Sequence, residues 1–471
     1  MSLIKFGTDG WRAIIAKDFT VDNVARVSTA TADWLLQNFD NPSCVVGHDC
    51  RYGGPMFAET VAKVLVQKGI KVYLHNSGPV STPMVSLGAV KHKASLGVII
   101  TASHNPPTYN GYKLKGHFGG PLLPKEVAEV EGLIPDNNIM ALDSIDLDTF
   151  KSQGRLEYTN LEDLYVDHAE AHFDMDAILN SGLNMAYDPM YGAGQDAMRR
   201  ILPDITYLHA DHNPGFEGVA PEPILKNLMP FRDLIQMSGD IDAGLATDGD
   251  ADRLGFFDQK GNFIDSHHLI LLLIHYLVKY KGMSGKVVTA FSVTDRVKKL
   301  CQHYGLEQET TKIGFKYIAG HFLDSDVLLG GEESGGIAIK GHIPERDGIW
   351  MGLTLWEFMA KSGKSLEALI QEVYDLVGAF QFSRNDLHIT EELKQKAMKA
   401  CADGTFTQFG DRKVERVENI DGYKFHFAND EWLMIRPSGT EPVLRTYAES
   451  SDMEGVNQLL AHCEKAIKAL A

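Results

Sequence analysis

The sequence predicts an α/β protein of several domains that ends in a smaller α+β domain. As far as about residue 376, short β-branched runs alternate with helical patterns, which is typical of parallel βαβ units. From about Phe380 the pattern changes to strands joined by turns, closed by one helix over 452–470. That change indicates a separate α+β unit. The chain of 471 residues is long enough for several large cores.

Connecting segments mark where one predicted domain ends and the next begins. An Asp- and Asn-rich stretch over 135–149 follows the first group of elements, and a helix near 161–172 opens the second group. The predicted domains are 1–152, 153–256, 257–376 and 377–471. The first three look related in topology, without the short fixed period of a solenoid.

The first domain contains a polar segment with the first candidate functional residues. Helices are predicted over about 21–38, 56–68 and 83–92, and strands over 44–47, 70–75 and 94–100. The last strand stops at the polar segment Thr101-Ala-Ser-His-Asn-Pro106. Because open α/β sheets bind ligands at the C-terminal ends of their strands, we expect Ser103 at the mouth of a cleft. His104 beside it is a candidate proton carrier or hydrogen-bond donor.

The later domains continue the same alternation. Strands are predicted over 183–187, 243–247 and 286–291, helices over 195–201, 267–281, 294–304 and 366–377, and final strands over 422–427, 431–436 and 444–449. The glycine-rich loop 188–194 fits either a phosphate cradle or a tight strand-to-helix turn. We favour the turn.

Three carboxylates occupy alternate positions in Asp248-Gly-Asp-Ala-Asp-Arg253. Carboxylates about 4 Å apart repel by roughly 4 kcal/mol at an effective dielectric of about 20, so this crowding requires a cation. Oxygen ligands favour Mg²⁺ or Ca²⁺ over zinc. An EF-hand would need glycine and glutamate where this chain has Arg253 and Gln259, so that motif is excluded.

Composition and net charge limit the classes of partner and the cellular location that we expect for the protein. The net charge of −18 argues against nucleic acid or an anionic membrane as partner. The five cysteines, Cys44, Cys50, Cys301, Cys401 and Cys463, lack metal-type clustering and indicate reduced packing residues. The first residues lack a signal-peptide core and no stretch is apolar enough to span a bilayer, so we expect a cytoplasmic protein.

Four motifs, in order, resemble those of the α-D-phosphohexomutase superfamily, which contains phosphoglucomutases and phosphomannomutases. They are Thr101–Pro106 as phosphoserine loop, Asp248–Arg253 as metal loop, Gly331-Glu-Glu-Ser-Gly335 as sugar loop and Arg436-Pro-Ser-Gly-Thr-Glu-Pro442 as phosphate loop. The resemblance implies four domains around a central cleft, with the C-terminal domain binding phosphate. It also implies a small sugar phosphate as substrate.

The resemblance implies a mechanism as well. Ser103 would be phosphorylated in the resting enzyme, would donate its phosphoryl group to the sugar, and would be rephosphorylated from the other end of a hexose 1,6-bisphosphate. Asp248, Asp250 and Asp252 would hold Mg²⁺ together with an oxygen of Ser103, while Arg253 neutralises charge. Such an enzyme must keep water away from its intermediate.

Other positions match residues that the family uses near its substrate. Lys113 matches a general acid or base, which requires a pKa lowered by burial and neighbouring cations, and Arg12 and His104 are candidates for orienting charge. Substrate contacts are expected from Lys312, Gly314, Glu332, Ser334, His342, Arg346, Arg436, Ser438, Gly439, Thr440 and Arg445.

Two positions depart from patterns within the family. Some members carry a histidine where this chain has Gly336, which removes one proposed base. Around His342 the sequence resembles phosphoglucomutases, but Arg346 stands where those have lysine. An arginine stays protonated, so it can bind phosphate or polarise a hydroxyl but is a poor base.

The expected reaction interconverts hexose 1-phosphate and hexose 6-phosphate, with glucose as the leading sugar and mannose as a second one. The Glu332-Glu333 pair differs from the Glu-Gln pattern of phosphoglucosamine mutases, yet such a mutase is the same-class alternative. A catalytically silent sugar-phosphate-binding protein and a one-way phosphatase are the others.

Overall fold

The computed structural model describes residues 4–7, 9–438 and 443–471. The chain forms two compact units. One contains the chain up to 286 together with 314–369, and the other contains 287–313 together with 370–471. Both combine helices and strands, which confirms the predicted mixed α/β class.

A six-stranded sheet forms the core of the N-terminal region. Its strands are β1 (Trp11–Ile14), β2 (Ser43–His48), β3 (Lys71–His75), β4 (Leu96–Ile100), β5 (Tyr109–Gly116) and β6 (Leu156–Thr159), in the order β1-β5-β4-β2-β3-β6. The helices of this region are α1 (Val21–Asn38), α2 (Gly54–Gln67), α3 (Thr82–Lys91), α4 (Pro124–Gly132) and α5 (Leu147–Ser152). Strands β2, β3, β4 and β6 pair in parallel, whereas β5 runs antiparallel to both β1 and β4.

The local sequence explains where these elements begin and end. Thr20 caps α1 and Ser81 caps α3 by accepting a hydrogen bond from the main-chain N–H three residues later. All five residues of β4 are buried, as its β-branched composition predicts. Strand β5 was missed by the sequence analysis, because Lys113 and Lys115 occupy buried positions and hide the alternation of a strand.

A second sheet holds the acidic loop. Its strands are β7 (Met185–Asp188), β8 (Thr206–Tyr207), β9 (Ala243–Thr247), β10 (Leu254–Asp258) and β11 (Phe263–Ile264), in the order β11-β10-β9-β7-β8. The helices are α6 (Leu161–His172), α7 (Met175–Leu179), α8 (Gln195–Ile201) and α9 (Met229–Ser238). The antiparallel hairpin of β9 and β10 carries Asp248–Arg253 at its turn. This sheet extends to Ile264, beyond the predicted limit at 256.

The glycine-rich loop after β7 is a structural turn. Ala193 N–H donates to the Gly249 carbonyl, and a Cβ on Gly192 would lie 2.8 Å from the Asp248 carbonyl oxygen. The loop therefore packs directly against the backbone of the acidic loop, which agrees with the favoured interpretation.

The chain from 265 to 377 contributes to both units. In order, its elements are α10 (Ser266–His275, extended by a π-helical turn over Tyr276–Tyr280), β12 (Lys286–Ala290), α11 (Arg296–Tyr304), β13 (Gln308–Thr311), α12 (Phe315–Asp324), β14 (Val327–Gly331), β15 (Ile337–Ile339), α13 (Gly348–Ser362) and α14 (Leu366–Val377). Strands β12 and β13 pair in parallel, and β14 and β15 pair antiparallel.

The C-terminal part of the second unit is the predicted α+β domain. Its elements are β16 (Gln381–His388), α15 (Glu391–Ala402), β17 (Gln408–Phe409), β18 (Arg412–Lys413), β19 (Arg416–Glu418), β20 (Tyr423–His426), β21 (Trp432–Pro437), β22 (Val443–Ser450) and α16 (Met453–Lys468). Five strands form an antiparallel sheet in the order β16-β22-β21-β20-β19.

Two further observations bear on the composition argument. All five cysteines are buried free thiols, as expected of packing residues. Within the described part of the chain, every helix is too short or too polar to cross a lipid bilayer.

Candidate active site

Ser103 lies in the turn that follows β4 and contacts the acidic loop directly. Its Oγ donates to Asp248 Oδ2 at 2.8 Å and lies 3.1 Å from His104 Nδ1. Its backbone adopts a left-handed φ of 51°. The residue is 1% exposed. The structure therefore brings together two motifs that are 145 positions apart in the chain.

The three alternate carboxylates converge as the sequence predicts. One oxygen from each of Asp248, Asp250 and Asp252 lies within 4.8 Å of the others, and all three residues are fully buried. Asp248 Oδ1 accepts the main-chain N–H groups of Asp252 and Arg253, which folds the loop around that carboxylate.

The donor set fits a divalent cation. Among the residues that the structure describes, Asp250 Oδ1 and Asp252 Oδ1 have no hydrogen-bond partner. Buried carboxylate oxygens without partners are costly, and oxygen ligands of this kind suit Mg²⁺. Burial, reinforced by Asp250 and Asp252, raises the pKa of Asp248 well above its usual range. A bound cation would relieve that repulsion.

Lys113, on β5, faces the opposite oxygens of the same carboxylates. Its Nζ lies 2.7 Å from Asp250 Oδ2 and 3.0 Å from Asp252 Oδ2. Burial alone would lower the pKa of Lys113, but Asp250, Asp252 and Asp9 outweigh it and raise that pKa. With these partners, the side chain of Lys113 is ion-paired on the side facing the carboxylates.

Arg12, His104 and Arg253 also reach this cluster. Arg12 Nη1 donates to Asn105 Oδ1 at 2.6 Å, within the serine turn. Burial, followed by the charges of Arg253 and Arg12, places the pKa of His104 well below its usual range. Arg253 Nε lies 3.9 Å from Asp252 Oδ1, an ion pair too long for a hydrogen bond.

Asp9 is a further member of this cluster that was not predicted from the sequence. Asp9 pairs with Lys113 at 2.9 Å and with Arg346, whose guanidinium also lies 2.7 Å from Asp252 Oδ2. A carboxylate close to a glycine was the only local signal, in the opening Phe6–Arg12 segment. A Cβ on Gly336 would lie 2.4 Å from Arg346 Cδ. The glycine thus leaves the space that the arginine fills.

The sugar loop lies at the end of β14 in the first unit. Glu332 Oε1 accepts the Gly314 N–H at 2.9 Å, which brings two of the predicted substrate residues together. Burial raises the pKa of Glu332. Ser334 is half-buried. Gly335 adopts a φ of 90° with the Leu254 carbonyl 2.6 Å from a Cβ position, so only glycine fits that turn.

His342 has a buried side chain with both ring nitrogens engaged. Nε2 lies 2.9 Å from Asp347 Oδ2 and Nδ1 lies 3.3 Å from His168 Nε2, while the ring stacks on Trp350. These contacts are those of a residue that supports Asp347. A direct substrate contact at His342 would require breaking one of them.

The remaining predicted residues belong to the second unit. Arg436 Nε lies 3.2 Å from Asp421 Oδ1, and Asp421 Oδ2 also accepts the Ile313 N–H at 3.0 Å. This carboxylate therefore joins the segment that follows Lys312 to the phosphate loop. Arg445 faces Arg436 across β21 and β22.

Ser438 is buried, and its N–H donates to the Val443 carbonyl at the start of β22. Gly439 and Thr440 lie outside the described residues.

Comparison with known proteins agrees with this geometry. Sequence models of the phosphoglucomutase/phosphomannomutase family match four successive segments. These are α/β/α domain I over 3–138, α/β/α domain II over 163–261, α/β/α domain III over 265–377 and the C-terminal domain over 390–466. The protein is therefore an intramolecular phosphotransferase of the mutase type.

Individual relatives match over nearly the whole chain. A crystal structure of a Thermus thermophilus protein, provisionally described as a phosphomannomutase, is 32% identical, with a TM-score of 0.87 and 99% of each chain covered. A phosphoglucomutase/phosphomannomutase of Thermococcus kodakarensis is 28% identical over 99% of this chain and 98% of its own. A phosphoglucosamine/phosphogalactosamine mutase of Sulfurisphaera tokodaii is 29% identical over 98% and 99%. The chain belongs to the phosphoglucomutase/phosphomannomutase family of the α-D-phosphohexomutase superfamily.

Proposed function

We propose that this phosphohexomutase interconverts hexose 1-phosphate and hexose 6-phosphate, with glucose as the preferred sugar and mannose as a second substrate. The observation that carries the proposal is the 2.8 Å hydrogen bond from Ser103 Oγ to Asp248 Oδ2. It places a hydroxyl nucleophile against a buried set of carboxylates suited to a divalent cation, which is what phosphoryl transfer requires.

The reaction runs in two transfers. Phosphorylated Ser103 gives its phosphoryl group to the free hydroxyl of the sugar: the P–Oγ bond breaks and a P–O bond to the sugar forms. The sugar hydroxyl gives up its proton to a base, and Ser103 Oγ gains a proton. The resulting hexose 1,6-bisphosphate reverses its orientation. Ser103 then takes the other phosphoryl group, and the sugar oxygen that it leaves gains a proton.

The side chains around Ser103 divide the remaining work. Asp248, Asp250 and Asp252, together with an oxygen of the serine, would hold Mg²⁺, which would supply positive charge against the transferring oxygens. Lys113, Arg12 and Arg253 add fixed cations there. His104 Nδ1, 3.1 Å from Ser103 Oγ, takes up the proton of that hydroxyl when Ser103 is phosphorylated and returns it when the P–Oγ bond breaks.

The remaining residues are proposed to bind the substrate. The sugar is bound by Glu332, Ser334, Gly314 and Lys312. Arg346 orients the group being transferred, and His342 supports this part of the site through its contact with Asp347. Arg436, Ser438, Gly439, Thr440 and Arg445 hold the phosphate that is not reacting. The domain limits 1–152, 153–256, 257–376 and 377–471 are part of this proposal.

Intact mass and turnover of Ser103→Ala test the chemistry. Wild-type protein incubated with hexose 1,6-bisphosphate should gain one phosphate, and Ser103→Ala should gain none and lose turnover by on the order of 10⁴-fold or more. Normal turnover in the variant would refute the role of Ser103. Free phosphate released as fast as the isomer forms would identify a phosphatase, and phosphate-free wild type without turnover would identify a silent binding protein.

A phosphoglucosamine mutase is the second candidate. The observation in its favour is that several relatives of similar identity are named as such mutases, including those of Sulfurisphaera tokodaii at 29% and Pyrococcus abyssi at 28%. Comparing kcat/KM for glucose, mannose and glucosamine phosphates, with Mg²⁺ and the matching bisphosphate, separates the two. A preference for the amino sugar would overturn glucose as substrate and leave the mutase chemistry standing.

A further inference from the structure

Arg51, in the segment after β2, is a buried arginine that the reaction scheme above does not use. Its guanidinium donates to four main-chain carbonyls, three in the turn that carries Ser103 and one at the start of β5. Nη2 reaches those of Ser103 and Asn105, both at 2.6 Å, and Nη1 reaches those of Pro106 at 2.9 Å and Tyr109 at 3.0 Å. The whole residue is 2% exposed. One side chain therefore anchors the turn at Ser103 and at two of the residues that follow it.

A second set of bonds holds the other side of Ser103. Its N–H donates to Thr101 Oγ1 at 2.9 Å, and that hydroxyl donates to Asp49 Oδ2 at 2.5 Å. The same Asp49 oxygen lies 3.3 Å from Arg51 Nε. The N–H and the carbonyl of Ser103 are thus both fixed by the ion pair of Asp49 and Arg51, which follow strand β2.

This arrangement compensates for an unfavourable backbone. A left-handed φ is unfavourable for a non-glycine residue, and Ser103 has a φ of 51°. A turn of this kind keeps its shape only where surrounding contacts over-determine it. The planar fork of arginine can serve four carbonyls at once, whereas the single ammonium of lysine cannot.

We propose that Arg51 is a positioning residue for phosphoryl transfer, which fixes Ser103 Oγ against Asp248 by holding the carbonyls of the turn. The proposal rests on the proposed role of Ser103. Within the described part of the chain, the hydrogen bonds and the ion pair of the Arg51 side chain go to those carbonyls and to Asp49. Arg51 therefore acts through backbone geometry, without touching the reacting oxygen.

Arg51→Lys is the first test, with Arg26→Lys as the matched control. Arg26 is also buried and donates to a carbonyl in the same sheet region, that of Pro135 at 2.7 Å. We expect Arg51→Lys to lose about 100-fold in kcat with the KM of the sugar phosphate unchanged, as for a misplaced nucleophile. Arg26→Lys should lower Tm and keep kcat. Equal effects of both variants on kcat, or normal kcat in Arg51→Lys, would overturn the proposal.

Chemical rescue gives a second test. Arg51 lines a cavity of about 480 Å³ together with His48, Asp49, His75 and His212, through which a small cation can enter. Millimolar guanidinium should restore kcat in Arg51→Ala, whereas ammonium at the same concentration should not. A failure of guanidinium to restore kcat in the folded variant would count against the proposal.

Two further variants keep the outcome clear. If Arg51 variants do not fold, Thr101→Val removes the acceptor for the Ser103 N–H in a side chain of the same shape. It should lower kcat at constant KM, and a normal kcat would overturn the network. Ser103→Ala separates the two hypotheses: activity in that variant rejects the proposed function, whereas its loss beside a fully active Arg51→Lys rejects only the positioning role.

Discussion

Charged side chains are fully buried in the acidic cluster of the first unit, whereas Arg436 and Arg445 in the second unit are partly exposed. Asp248, Asp250 and Asp252 are fully buried, and Lys113 beside them has a side chain with no exposed surface. In the second unit, the side chains of Arg436 and Arg445 are 21% and 34% exposed. Arg445 Nε is only loosely paired, since it lies 4.0 Å from Asp386 Oδ1.

Because their charged side chains differ in burial, the two sites would bind a ligand in different ways. In the first unit, buried oxygens and cations are positioned before any ligand binds, so little reorganisation is needed during transfer. In the second, Arg436 is held by a carboxylate that an incoming phosphate can replace. The first arrangement suits bond making, and the second suits a phosphate that must be bound and released.

Asp250→Asn tests the buried side of this comparison and should have the largest effect. The change removes one charge from the proposed cation site and weakens the pairing with Lys113, and the expected loss in kcat is on the order of 10³-fold. Turnover as a function of Mg²⁺, after treatment with EDTA, measures it. Asp258→Asn is the control, since that buried carboxylate only accepts N–H groups of the β10–β11 turn. Equal losses in both variants would contradict a special role for the cluster.

Arg436→Ala tests the exposed side. Hydrogen bonds to a charged group contribute about 1.5–3 kcal/mol, so kcat/KM should fall by roughly 10- to 100-fold. The loss should shrink at high salt, because this site is partly open to solvent. Steady-state kinetics at two ionic strengths measure both effects, with the exposed Arg416→Ala as control. A near-normal kcat/KM in Arg436→Ala would contradict a role of Arg436 in binding phosphate.

Gly336→Ala tests how tightly the buried side is packed. The new Cβ would lie 2.4 Å from Arg346 Cδ, and Arg346 is held by Asp9 and Asp252. We expect a loss of stability of about 1–3 kcal/mol and a lower kcat. Thermal unfolding and turnover measure these. Gly320→Ala, in α12 with no neighbouring atom within 4 Å among the described residues, should be neutral or stabilising. A fully stable, fully active Gly336→Ala would show that Arg346 is free to move.

The smallest expected effect concerns Glu449, a buried carboxylate in the second unit. Burial raises its pKa to about 7, although Arg296 and Lys424 oppose that shift. Because the folded state holds this proton more tightly than the unfolded state, stability should fall as the pH rises from about 4.5 to about 7. The change is on the order of 1–3 kcal/mol. Thermal unfolding across this range should be flatter for Glu449→Gln, and parallel curves would reject the assignment.

The sequence predicted contiguous motifs better than it predicted single residues. Ser103 and the three alternate aspartates are recognisable because each stands in a short distinctive string, and the structure brings those strings together. Asp9, Arg51 and Thr82 carry no such string. Thr82 Oγ1 donates to Asp250 Oδ2 across 168 positions, which only the folded chain reveals.

The element boundaries show the same limit. The predicted helices over 21–38, 161–172 and 195–201 coincide with α1, α6 and α8. The first two are capped by local side chains, those of Thr20 and Asn160. Strand β5 was not recognised, because its buried lysines are paired with carboxylates from distant loops. Polar residues that serve a site thus erase the pattern by which strands are found.

The left-handed backbone at residue 103 has a consequence for the choice of nucleophile. Threonine carries an equivalent alcohol, but a β-branched side chain is a genuine outlier at positive φ. Selection between the two alcohols at this position is therefore made by main-chain shape and not by reactivity. An otherwise conservative replacement with threonine would oppose the very turn that delivers the oxygen.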